Sequence, residues 1–117
     1  REGPGNSLGR IKFMFPNRYA VYLHDTPSKS LFKRRMRALS HGCVRVENPL
    51  ELAEFLMKDD SSWTRESIEK AIRGGRNQTV TLPEMVPVYI VYLTAWVDEK
   101  GLVQFRDDIY GKDQEIW

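Results

Sequence analysis

The sequence predicts a mixed α+β fold in one small domain, mostly β, and three observations carry the prediction. Short apolar runs of β character open the chain at residues 10–15 and 19–23 and dominate its last third at 79–82, 86–97 and 102–105. Two stretches with apolar residues at helical spacing lie between them, one over about 49–58 and one between Thr64 and Gly74. Turn and cap residues separate these runs where a change of structure is needed.

In chain order, residues 1–9 are mostly loop-forming residues, and Arg10-Ile11-Lys12-Phe13-Met14-Phe15 alternates polar and apolar at its start, as a half-buried strand does. Pro16-Asn17 reads as a turn into Tyr19-Ala20-Val21-Tyr22-Leu23, so the two runs pair as a hairpin that delivers His24 to the end of its second strand. Residues 25–40 are polar and basic, a loop broken by Thr26-Pro27-Ser28 with one helical turn around Leu31–Arg34. Asn48-Pro49 is an N-cap followed by proline at the first helical position, and Leu50, Ala53, Phe55, Leu56 and Met57 form the apolar face of a short helix. Thr64 caps the second helix, Trp63 and Ile68 stand at the positions of a hydrophobic staple, and Gly74-Gly75 stops it. Thr79–Leu82 and the long run Val86–Val97 read as strands, and Asp98-Glu99-Lys100-Gly101 turns the chain into Leu102–Phe105.

Composition sets outer limits. With 117 residues and 41% hydrophobic content there is material for one core. A net charge of +2 does not call for a nucleic-acid partner, although Lys33, Arg34, Arg35 and Arg37 make a local basic cluster. One cysteine forms no internal disulfide, and no membrane span or signal peptide is present. The opening Arg1-Glu2-Gly3-Pro4-Gly5, a glycine–proline loop without a start methionine, reads as an excerpt of a larger protein, so location is not inferred from a missing signal.

That cysteine, Cys43, sits in Ser40-His41-Gly42-Cys43-Val44-Arg45, and the other histidine, His24, precedes it by nineteen positions. Thiol catalysis requires a thiolate, which an imidazole brought close by the fold stabilises. His24 is the candidate base. Gly42 lets the backbone bend so that amide N–H groups can aim at a developing oxyanion. The bland alternatives are a buried structural cysteine, a satisfied histidine at a strand end and a loop histidine. A metal site of Cys and two His lacks a fourth ligand at finger spacing and any CxxC pair. Arg45, two residues past the thiol, either clamps a carboxylate or braces the loop. Trp63, Tyr89, Tyr92 and Trp96 read as packing residues.

These residues match something specific. His24, sixteen positions before Ser40, together with Ser40-His41-Gly42-Cys43-Val44-Arg45, resembles the signature of the L,D-transpeptidase family, the YkuD-type catalytic domain of bacterial cell-wall enzymes. Upstream, Gly5-Asn6-Ser7-Leu8-Gly9 before a strand is similar to the family's Asn-Pro-Leu-Gly segment, with Ser7 in place of proline. The resemblance covers about residues 4–58 and implies a YkuD-type fold with two short helices after the catalytic cysteine. On that reading residues 1–117 are the C-terminal part of one catalytic domain, with its N-terminal half and the lid over the donor site outside this chain.

The resemblance further implies that Cys43 attacks the carbonyl between the third-position diamino acid and D-Ala of a stem tetrapeptide. D-Ala leaves, and an amine of a second stem peptide takes the acyl group to give a 3-3 cross-link. His24 is then base and imidazolium partner, the backbone carbonyl of Asp25 holds its other nitrogen, and His41, Gly42 and Cys43 supply the oxyanion hole. Arg45 and Ser40 fall to substrate binding, with the bracing role of Arg45 left open. The implied partners are peptidoglycan stem peptides as donor and acceptor, with carbapenem-type β-lactams as inhibitors. No cofactor, metal or nucleic acid is expected, a membrane only through segments outside this chain, and the place of work is the periplasm or cell envelope. An L,D-carboxypeptidase or other cysteine hydrolase of the same fold, in which water resolves the acyl-enzyme, and a non-catalytic wall-binding module are the competing functions.

Overall fold

The computed structural model describes residues 6–40 and 42–116. They form two compact units, divided between Val86 and Pro87.

The first unit is built on a three-stranded sheet of very short strands, β1 (Lys12–Phe13), β2 (Leu23–His24) and β3 (Val44–Arg45), in that spatial order. β1 runs antiparallel to β2 with Lys12 opposite His24, and β3 runs parallel to β2 with His24 opposite Arg45. The expected hairpin is present but its ladder is much shorter than residues 10–15 and 19–23. The reason is local. Asn17 receives the amides of Tyr19 and Val21 on its side-chain oxygen, each at 3.0 Å, and donates its own amide to the carbonyls of Phe15 and Val21. Ala20 then takes a left-handed conformation, with φ at 54°, that no strand tolerates. A side chain, not cross-strand bonding, closes this turn.

A 3₁₀ turn at Lys29–Lys33 occupies the loop where one helical turn was expected. Helix α1 (Pro49–Leu56) starts with proline at its first position, and Leu52 bonds back to the Asn48 carbonyl at 3.1 Å, but the Asn48 side chain makes no cap bond. Helix α2 (Arg65–Arg73) is capped by Thr64, whose Oγ1 accepts from the Ser67 amide at 3.3 Å, and Gly75 leaves it with φ at 67°. The helices pack on each other, and two buried apolar side chains, Met57 and Ile68, come one from the end of α1 and one from α2. Phe55 does not join that face. It is exposed, with the Lys58 ammonium 4.6 Å from its ring centroid.

The second unit is the hairpin of β4 (Ala95–Val97) and β5 (Val103–Phe105), with Trp96 opposite Gln104. Asp98 orders its turn by accepting the amides of Lys100 and Leu102, each at 2.9 Å, and Gly101 supplies the positive φ. Beyond it, Asp108 accepts from the Tyr92 hydroxyl at 2.6 Å and from the amides of Lys112 and Asp113 ahead of a 3₁₀ turn at Asp113–Ile116.

The α+β class and the two helices stand, but "mostly β" is corrected, since among the described residues the two α-helices hold more residues than the five strands. Residues 79–82 form no strand, and of the run 86–97 only Ala95–Val97 is paired. Val86, Val88, Tyr89, Ile90 and Val91 have strong β propensity yet stand exposed without ladder bonds among the described residues. Propensity marks residues that fit a pleated surface; only a partner strand makes them one.

Candidate active site

His24 is 4% exposed and belongs to a buried polar run with Asp25 and Thr26. Its backbone is pinned from both sides: the Asp25 amide donates to the Ile11 carbonyl at 2.8 Å, and the His24 carbonyl accepts from the Val46 amide at 2.8 Å. The imidazole Nδ1 lies 2.5 Å from the backbone oxygen of Asp25. A carbonyl only accepts, so Nδ1 carries the hydrogen, and the neutral ring keeps its lone pair on Nε2. That is the tautomer a proton-accepting imidazole needs.

Parallel pairing brings Cys43 to the same place. His24 sits opposite Arg45, the Val44 amide donates to the Tyr22 carbonyl at 3.3 Å, and side chains two residues apart return to one face of a pleated strand. Cys43 and Arg45 therefore share a face with Tyr22 and His24. The rings of Tyr22 and His24 meet edge to face with centroids 5.9 Å apart, and the Lys12 ammonium stands 4.6 Å from the Tyr22 ring centroid on that side. Cys43 is a free, half-buried thiol.

The approach to Cys43 is braced from within. Ser40 Oγ donates to the Cys43 carbonyl at 2.6 Å and accepts from the Gly42 amide at 3.4 Å, while Gly42 has φ at 137° with open space where a Cβ would stand. Conformation, not crowding, demands glycine there. Arg45 Nη2 reaches the Leu39 carbonyl at a long 3.4 Å, and its Nε is buried without a hydrogen-bond partner among the described residues. His41 lies outside the described residues.

The Asp25 side chain has an extensive network of its own. Oδ1 accepts from the Thr26 amide at 2.7 Å and from Lys29 Nζ at 2.7 Å, and Oδ2 accepts from the Arg10 amide at 2.9 Å. Burial works to raise the carboxyl's pKa, but the Lys29 bond, the Arg10 and Thr26 amides and the Lys29 charge outweigh it and hold the group below its ordinary value. Lys29 also donates to the carbonyls of Val46 at 3.2 Å and Glu47 at 2.8 Å, just past β3. Gly9 completes the nest with φ at 64°; a Cβ on it would overlap the Asp25 carboxylate. The turn carrying Gly9 is closed by Asn6, whose side-chain oxygen accepts the Leu8 amide and whose carbonyl accepts the Gly9 amide.

The sequence reading missed Tyr22, Lys29, Arg10 and the Asp25 carboxylate. Signals for some were available: Tyr22 stands two residues before His24 on a strand, and Lys29 stands four after Asp25 at the start of a helical turn. Arg10 acts through its amide, which no residue type announces.

A family model for the L,D-transpeptidase catalytic domain, YkuD, matches residues 1–90. A protein of Haemophilus influenzae named "Putative L,D-transpeptidase" is 40% identical over 117 residues, 99% of this chain. The chain spans about a quarter, 24%, of the length of that curated relative. The segment bearing His24, Cys43 and their supports lies wholly within the matched region, and the chain belongs to the L,D-transpeptidase catalytic domain family.

Proposed function

We propose that this chain carries the acyl-transfer centre of a peptidoglycan L,D-transpeptidase, with Cys43 as nucleophile and His24 as its proton acceptor. The observation that carries this reading is the parallel β2–β3 pairing, which sets a cysteine and a histidine of fixed tautomer on one sheet face within the family match. In the proposed reaction His24 Nε2 takes the thiol proton, and Sγ attacks the carbonyl joining the third-position diamino acid to D-Ala. The tetrahedral oxyanion forms beside the backbone amides of Gly42 and Cys43. Its collapse, with the proton returned from His24, expels D-Ala and leaves a thioester. A side-chain amine of a second stem peptide then attacks the thioester, His24 takes its proton, and the collapse gives the 3-3 amide and restores the thiol. The Asp25 carbonyl stabilises the imidazolium that forms at each stage.

The buried Nε of Arg45, without a hydrogen-bond partner among the described residues, supports a role for this arginine in receiving a donor carboxylate, since an unsatisfied buried donor gains most from an anionic acceptor. Ser40, engaged inside the loop on both its donor and acceptor sides, serves the site by holding Cys43 and Gly42 in place. The substrate sets the location at the cell envelope, and a carbapenem-type β-lactam acylates the same sulfur.

Product analysis on a disaccharide tetrapeptide, with and without an acceptor peptide, tests the reading. Free D-Ala with a cross-linked dimer is expected when acceptor is present. Tripeptide as the main product under both conditions assigns the site to carboxypeptidase chemistry, and no D-Ala release contradicts the acyl-transfer reading.

A further inference from the structure

We infer that the Asp25 carboxylate and Lys29 form a positioning device that aims the Asp25 carbonyl at His24 and locks the histidine loop to the cysteine strand. The inference rests on the acyl-transfer reading above and adds two residues to it. A peptide unit is planar and trans, so its C=O and N–H point in opposite directions. The unit joining Asp25 to Thr26 has its oxygen on His24 Nδ1, at 2.5 Å, and its N–H on Asp25 Oδ1, at 2.7 Å. Gripping the N–H fixes the plane of the unit and thereby the direction of its oxygen. Asp25 thus acts at both ends of one peptide, receiving the imidazole on its carbonyl and setting that carbonyl with its carboxylate.

The carboxylate is itself held at three points: the Arg10 amide on Oδ2, the Thr26 amide on Oδ1, and Lys29 Nζ on Oδ1. Lys29 spends its remaining donors on the carbonyls of Val46 and Glu47, which directly follow the strand that begins one residue after Cys43. One ammonium therefore joins the two chain segments whose register places His24 and Cys43 on a common face. A side chain with three donors is required; a neutral isostere satisfies none of these oxygens. Displacement of a catalytic group by about 1 Å costs up to ~10²-fold in rate, so this device acts on turnover while touching neither substrate nor thiol.

The test uses the full chain with Asp25→Asn, Lys29→Met and Lys29→Arg. Nitrogen-15 NMR of the neutral His24 ring reports which nitrogen carries the hydrogen, and iodoacetamide labelling of Cys43 at mildly acid pH reports His24 assistance. In the unsubstituted chain the Nδ1–H tautomer dominates. In Lys29→Met and Asp25→Asn a mixture with the Nε2–H tautomer is expected, with Cys43 labelling and kcat on the tetrapeptide donor lowered ~10-fold to 10²-fold and KM little changed. Lys29→Arg, which keeps charge and donors, recovers most of the labelling rate. Unaltered tautomer and labelling in folded Lys29→Met overturn the inference, even if its melting temperature falls. Failure of the acyl-transfer reading has a different signature: the unsubstituted chain labels at the rate of an unassisted thiol.

Discussion

The same device, a carboxylate collecting backbone amides, recurs in both units, and its surroundings differ. In the hairpin unit Asp98 and Asp108 order turns from half-buried positions, gathering donors close in sequence together with one side-chain partner each. In the first unit Asp25 is buried, gathers donors from residues 10, 26 and 29, and is tied by Lys29 to residues 46 and 47. The half-buried carboxylates shape a local turn; the buried one joins three segments that are separate in sequence. Burying an ion is costly unless it is fully paired, so such an arrangement points to a demand for geometry rather than for stability alone.

The largest expected effects fall on the reacting groups. Cys43→Ala abolishes acyl-enzyme formation, and His24→Ala lowers its rate about 10²–10⁴-fold, measured as D-Ala release from a tetrapeptide donor. Cys43 lies outside the network that distinguishes Asp25 from Asp98, so Cys43→Ala is expected to leave thermal unfolding nearly intact, whereas His24→Ala removes a buried ring, leaves the Asp25 carbonyl without its imidazole partner and lowers the melting temperature as well.

Gly9→Ala attacks that network sterically. The left-handed φ and the overlap with Asp25 together cost roughly 2–4 kcal/mol, read in urea unfolding, and D-Ala release falls with it. The equivalent change at Gly101, where the space is open, carries only the conformational cost of about 1–2 kcal/mol and leaves D-Ala release unchanged.

The acid dependence sharpens the comparison further. The folded-state pKa of Asp25 lies below the ordinary aspartate value of 3.8, so its stabilising contribution is complete above that value and is lost as pH falls through the lowered one. Urea unfolding across acid pH should show Asp25→Asn destabilised relative to the unsubstituted chain above that window, with the gap closing as pH falls through it. Asp98, also lowered, through the Leu102 amide first and then Gln104, should follow the same sign in stability. Asp98→Asn should leave Cys43 labelling untouched, whereas Asp25→Asn should not; equal labelling losses in the two variants would erase the distinction drawn here.

Smaller effects are expected at the basic residues. Arg45→Lys keeps the charge and loses the planar fork, so a raised KM for donor at unchanged melting temperature identifies carboxylate binding, and the reverse pattern identifies a loop brace. Charge reversal in Lys33–Arg37, an exposed run, alters rate mainly at low salt.

Much of the candidate site was legible because its signals are local. His24, Gly42, Cys43 and Arg45 lie in short motifs whose residue types name their chemistry, and the caps at Pro49, Thr64 and Gly75 follow from backbone rules that act within one turn. What escaped depends on pairing. The run 86–97 has β character throughout, but a ladder needs a partner, and Ala20 breaks the earlier strand with a conformation that no pattern rule assigns to alanine. The Asp25 nest escaped because two of its three donors are amides, and sequence records side chains, not where an N–H will point.

The central claim is that the face shared by His24 and Cys43 performs acyl transfer, and intact-protein mass spectrometry after mixing with a disaccharide tetrapeptide tests it most directly. The account predicts an adduct equal to the donor minus D-Ala, located on the peptide containing Cys43, discharged on adding an amine acceptor, and absent from Cys43→Ala. An adduct that persists in Cys43→Ala, or D-Ala release that does not need this thiol, would contradict it.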